Sequence, residues 1–281
     1  MRKMISRTPT EPLISSIQGQ NYWFHGCMAY LMKCVEEEAA YDYWFFSGVT
    51  GDSFLQVYSK NPENMVLCYS HIFTADAAKK AFGACGYSYE YLEADVDITR
   101  DALDDRVREY LEKDIPVIAS LEDDFHTFAI LCGYDETGFY FVWGDDTQPR
   151  KARYHTVILL GEKTESPKLA DTYKKAVMSL PGLLATPETE KYSFGKKAFY
   201  DWAGSFEGNL FAKYPLDDKI WYTHGDPTFS SWNMHGTYLC MLGTNICAVQ
   251  FLQKALELNP EMAFIHQLIP IYQAQNGDGF G

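Results

Sequence analysis

Between Ile115 and Glu162 four β-rich apolar runs follow one another too closely for helices to fit between them: IPVIASLE, HTFAILCGYD, TGFYFVWGDD and YHTVILLGE. Turn residues separate them, as at Glu136-Thr137-Gly138, so the spacing predicts an antiparallel meander. The residues in front read differently. From Cys27 to about Ala40, apolar side chains at Cys27, Leu31, Cys34 and Val35 recur at helical spacing. NMVLCYSHI is expected to be a strand, and TADAAKKAFGACG a helix opened by Thr74 and closed by glycine. YSYEYLEA alternates like a strand, and Thr99 caps a helix carrying Leu103, Val107, Tyr110 and Leu111 on one face. Beyond the turn cluster ESPK the signals are mostly helical. The expected fold class is therefore α+β, with an N-terminal helix packed on an antiparallel sheet in residues 1–163 and a mostly helical C-terminal region, residues 164–281, packed on that core.

Composition narrows the function. A net charge of -14 opposes an extended nucleic-acid surface, which needs clustered Lys and Arg. No run of about 18 apolar residues could span a bilayer, so no membrane partner is expected. MRKMISRTPTEPL has no apolar run behind its positive charge, so a secretory signal is not expected and the location is read as cytoplasmic. The seven cysteines lack CxxC spacing, which argues against a disulfide framework and a zinc ribbon. His71, His155, His224, His235 and His266 share no ligand spacing and are read as structural, so no metal is expected. The aromatic share of 16% suits a thick core or a pocket for a flat ligand.

One thiol stands out. In GQNYWFHGCMAYLMKCVEEE, Cys27 follows a glycine where a turn-like aromatic segment gives way to helical spacing. A thiol in a first helical turn sits at the positive end of the helix dipole, which favours the thiolate. Ordinary core filling is the competing account, and it is the one given to Cys34. His25, two residues before the thiol, reads as a loop residue. His126 opens a β-run, and the next strand, running back beside it, ends at Asp145 and Asp146. An imidazole beside a carboxylate on an adjacent strand is what a thiol nucleophile needs as its base and orienting group. Pleat parity alone does not choose between the two aspartates.

The order of these features resembles the papain-like cysteine peptidase superfamily, especially its C39-like branch and acyltransferases of the butirosin biosynthesis protein H type. Roughly residues 14 to 160 are covered by the resemblance. It implies a papain-like fold with Cys27 as nucleophile, His126 as base and Asp145 as orienting acid, Asp146 being the alternate. It also implies that Gln20, with Asn21 in reserve, joins the Cys27 N–H in binding an oxyanion. The acidic run Glu122, Asp123 and Asp124 would draw a protonated amine toward the base, although such a run also serves as a solvated turn. An acyl or peptidyl carrier protein would meet basic residues such as Arg150 to Arg153, Lys174-Lys175 and Lys196-Lys197. No cofactor is expected, phosphopantetheine entering only on the carrier. The implied activity is amide formation from an acyl thioester and a small amine through an acyl-cysteine. A C39-like cysteine peptidase or amidohydrolase is the alternative, and a non-catalytic binding module a third.

Overall fold

Every pairing in the main sheet is antiparallel, and its strand order is not the one that a meander gives. The computed structural model describes residues 2–15, 18–60, 68–122, 128–144, 146–207 and 245–275. Strands β1 (Lys3–Met4), β2 (Val57–Ser59) and β3 (Tyr87–Glu93) alternate with helices α1 (Trp23–Cys34), α2 (Tyr43–Thr50), α3 (Tyr69–Ile72) and α4 (Thr74–Cys85). After α5 (Arg100–Glu112) come β4 (Val117–Leu121), β5 (Phe128–Asp135), β6 (Gly138–Trp143), β7 (Asp146–Ala152) and β8 (Tyr154–Lys163). The chain continues with α6 (Leu169–Leu184), β9 (Tyr192–Phe194), α7 (Gly195–Glu207), α8 (Asn245–Leu258) and α9 (Ile265–Gln275).

The sheet runs β3-β8-β4-β5-β6-β7, with β1 paired to β5 and β2 pairing β9 separately. Strands β4 to β7 form the expected meander, but β8 crosses back and inserts between β3 and β4. Its central Thr156 to Leu160 is buried and pairs with β3 on one edge and β4 on the other. The segment Asp146–Ala152, in which the sequence shows no strand, is the sheet's last strand. In NMVLCYSHI, Tyr69–Ile72 forms a helical turn where a strand is expected, and residues 61–67 lie outside the described residues.

Local chemistry fixes most helix ends. The Thr99 hydroxyl accepts from the Ala102 N–H, and Leu103, Val107, Tyr110 and Leu111 bury one face of α5. Asp42 caps α2 by accepting from the Phe45 N–H at 2.8 Å, and Gly51, at φ +98°, stops it. Thr74 is the first residue of α4 and Phe73 its cap. Residues beyond 163 share the core of those before it. Phe251 of α8 packs on Phe54 at 5.9 Å and stacks on Tyr173 of α6 at 4.5 Å, and Tyr173 meets Phe45 of α2 at 5.6 Å. Among the described residues no helix is long and apolar enough to cross a membrane.

Candidate active site

Helix α1 begins at Trp23, one turn before Cys27, and this relocates the thiol. Gly26 lies inside the helix, where a turn is expected. A Cβ there would collide with the Leu13 carbonyl oxygen and the Ile14 side chain, so the glycine is required by the chain segment that crosses the helix. The same segment continues to the sheet, since the Leu13 and Ile14 N–H groups both donate to the Gly144 carbonyl, at 2.9 and 3.3 Å.

Starting at Trp23, the helix leaves only its first backbone N–H groups, Tyr22 to His25, without helical acceptors. The Tyr22 N–H is taken by the Tyr43 hydroxyl at 3.0 Å, and the Gly26 N–H already turns back to Tyr22. The Cys27 N–H follows it, one position further into the helix. The Cys27 side chain is fully buried, within the core that also holds Phe24, Met28 and Leu31. Burial pushes the thiol pKa well up, with no compensating charge among the described residues, so the thiol is neutral rather than a standing thiolate.

His25 departs furthest from its expected place. It is a fully buried helical residue whose Nε2 lies 2.8 Å from Asp52 Oδ2, both side chains being sealed from solvent. Asp52 Oδ1 also accepts from the Ser70 N–H at 3.2 Å, and the Thr50 hydroxyl lies 3.4 Å from Asp52 Oδ2. Burial alone would raise the Asp52 carboxyl; the His25 hydrogen bond and charge, with bonds from Ser70, overcome that and hold it below the usual carboxylate range. The rings of Tyr22, Phe24 and Tyr43 enclose His25 edge-on. This pair ties α1 to the α2–β2 turn and to α3.

His126 and Asp145 lie outside the described residues, as do Asp123 and Asp124. Their chain neighbours are described, and they converge on α1. Phe128, two residues after His126, meets Phe24 with ring centroids 5.3 Å apart. Trp143, two residues before Asp145, meets Trp23 at 5.7 Å, and Gly144 is the residue that Leu13 and Ile14 hold. Asp146 is taken up locally, accepting from the Gln148 N–H at 2.8 Å and from Arg150. Gln20 accepts the Ser15 N–H on its Oε1 at 2.8 Å, which leaves its amide N–H groups as the end able to bind an oxyanion. Asn21 is the residue before the α1 cap and is partly buried. Near both, the Cys247 thiol of α8 donates to the Gly19 carbonyl at 3.3 Å, so the C-terminal region borders this loop.

Glu122 is bound by two arginines, at 2.6 Å from Arg100 and 3.4 Å from Arg153, where the sequence reads it as open to an amine. The basic stretch of β7 is also engaged: Arg150 with Asp146 and Lys151 with Asp135. Lys174 pairs with Glu261 and Lys197 with Asp201.

The sequence gives no weight to His71, and the structure puts it at the centre of this region. Its ring stacks on Trp23 at 6.3 Å and lies 5.1 Å from Phe128. Together with Thr74, Tyr91, Ser120, Phe128, His155 and Thr156 it lines a cleft, whose wall does not include Cys27. A histidine in a short apolar run between two aromatic positions is the one sequence signal that could have singled it out. Among the described residues no group of three or more His, Cys, Asp or Glu side chains could hold a metal ion.

A scan against known protein families finds no match, and a search of curated proteins finds no similar sequence. The fold and site therefore define the class of this chain by architecture alone: an α+β protein whose thiol-bearing helix packs on an antiparallel sheet, at the ends of two strands.

Proposed function

We propose that this chain is a cysteine-nucleophile acyltransferase of papain-like architecture, acting in the cytoplasm in natural-product biosynthesis. The observation that supports this reading is the convergence on α1 of the chain neighbours of His126 and Asp145, Phe128 on Phe24 and Trp143 on Trp23. In this chemistry His126 takes the Cys27 proton as the sulfur attacks a thioester carbonyl. The tetrahedral oxyanion is bound by the Gln20 amide and a first-turn N–H of α1, and its collapse releases the donor thiol, which leaves with the proton held by the imidazole. An amine then attacks the acyl-cysteine and gives its proton to His126. The C–S bond breaks as the amide forms, and the thiol is restored. Asp145 orients the imidazole.

A buried neutral thiol favours this base-assisted route over a preformed thiolate. It also requires that substrate binding uncover Cys27. Surface pairs such as Lys151–Asp135 are worth little and can exchange partners, so they leave the basic stretch of β7 open to an acidic carrier protein bearing the phosphopantetheinyl thioester. Incubation with an acyl thioester, with and without a small diamine, tests the proposal. Amide that forms only with the amine, and that Cys27→Ala abolishes, is expected. Free acid in both arms would assign a hydrolase, and product from the Cys27→Ala protein would remove the thiol from the reaction.

A further inference from the structure

The segment Leu13–Ser15 touches three of the parts from which the proposed site is built. The Leu13 carbonyl lies against the first turn of α1, where a Cβ on Gly26, the residue before Cys27, would collide with it. The Leu13 and Ile14 N–H groups both donate to the carbonyl of Gly144, the residue before Asp145. Ser15 exchanges two hydrogen bonds with Gln20: its N–H donates to Gln20 Oε1 at 2.8 Å, and the Gln20 N–H donates to the Ser15 carbonyl at 3.0 Å. Three successive residues thus join the chain leading to the thiol, the chain leading to the orienting acid, and the oxyanion residue.

The residues ahead of these three are held along their length. Strand β1 pairs with β5 at Lys3–Tyr134 and Met4–Gly133, and the Ile5 N–H donates to the Cys132 carbonyl at 2.9 Å. Ser6 donates to Asp114, the Tyr30 hydroxyl donates to the Arg7 carbonyl, and Glu11 pairs with Lys33 at 3.0 Å. Tyr30 and Lys33 follow Gly26 by four and seven positions, so the strap lies along one face of α1. Pro9 and Pro12 stiffen it and favour extended backbone at Thr8 and Glu11.

A backbone N–H can only donate, so at Ser15 it takes the oxygen end of the Gln20 amide and directs the NH2 end the other way. The NH2 end is the one an oxyanion needs. An untethered glutamine amide turns about several side-chain bonds and offers either end, whereas one held at its oxygen is set before substrate arrives.

We infer that Ser15 is a positioning residue of the acyl-transfer site, its N–H setting the Gln20 amide donor-first for the oxyanion, while Leu13 and Ile14 tie Gly144 to the same segment. The inference rests on the acyl-transfer reading and adds to it the group through which Gln20 is oriented.

The experiment measures kcat and KM for amide formation by the full chain, from a panel of acyl N-acetylcysteamine thioesters and a small diamine. Wild type, Ser15→Pro, Gln20→Ala and the double variant are compared, proline having no N–H to give. Ser15→Pro is expected to lower kcat by about a hundredfold, the effect of losing one oxyanion donor, with KM unchanged. In the Gln20→Ala background it should cost nothing further. A purely structural role would lower the melting temperature and leave kcat of the folded protein intact, or would cost the same kcat in both backgrounds; either result overturns the positioning role. Should Ser15→Pro not fold, Pro12→Gly carries the test from an exposed position that loosens the segment. Its kcat should fall by about threefold, the ordering that proline supplies, and only where Gln20 is present. Wild-type protein that forms no amide from any member of the panel removes the acyl-transfer reading and this inference with it. An active wild type whose kcat is unchanged in Ser15→Pro removes this inference alone.

Discussion

Replacing Asp52 by alanine should cost about 3–5 kcal/mol, because it leaves the buried His25 imidazole and the Ser70 N–H without their common partner. That is a large part of the 5–15 kcal/mol by which ordinary domains are stable, so Asp52→Asn, which keeps the shape and one acceptor oxygen, is the companion variant at about 1–3 kcal/mol. Urea titrations followed by tryptophan fluorescence measure both. His25→Ala should cost as much as Asp52→Ala, and the double variant less than the sum, since each single change strands the other partner in a site with no solvent access. The pair also predicts a pH window. The Asp52 carboxyl is lower in the folded protein than in the unfolded chain, so its stabilisation is present above the unfolded value of about 3.9 and is lost as pH falls through the folded one. A cost below about 1 kcal/mol for Asp52→Ala, typical of an exposed pair, or strict additivity with His25→Ala, would refute the buried anchor under α1.

Three further outcomes follow from the same packing. Gly26→Ala should lower the melting temperature, although alanine favours a helix by about 1 kcal/mol over glycine, because its methyl meets the Leu13 carbonyl; an unchanged or higher melting temperature would contradict the close crossing at that point. Thr99→Ala should cost about 1 kcal/mol in urea through loss of the α5 cap, whereas no measurable cost would remove the cap from the account. Burial raises the folded pKa of Cys27, Cys68 and Cys85, so above the unfolded thiol value of about 8.5 the unfolded chain sheds protons that the folded one keeps, and stability falls. Each buried thiol adds about 1.4 kcal/mol per pH unit to that slope, and Cys27→Ala should reduce it between pH 9 and 10.

Strands β3 to β6 and β8, and helices α4 and α5, are legible because their signals are local: alternation, a cap, a closing glycine. Helix α2 has both end signals, Asp42 and Gly51, but its YWFFSGVT is buried nearly all round and shows no polar face from which to read a helical period. Strand β7 is the polar, exposed edge of the sheet and carries Pro149, so its pairing rests on the neighbour rather than on its own composition. At the site, the glycine before Cys27 looks like punctuation and is a crossing point, a distinction made by Leu13 and Ile14, thirteen and twelve positions earlier. The buried His25–Asp52 pair spans 27 residues and leaves no periodic trace. His71 became visible only when the fold laid it between Trp23 and Phe128.

The most direct measurement is intact and peptide-resolved mass spectrometry after exposing the wild-type and His126→Ala proteins to acyl thioesters. An adduct confined to Cys27, and lost in His126→Ala, is the predicted result. Acylation spread over several cysteines, or an adduct on Cys27 that forms as fast without the imidazole, would contradict the proposal that these two residues act together.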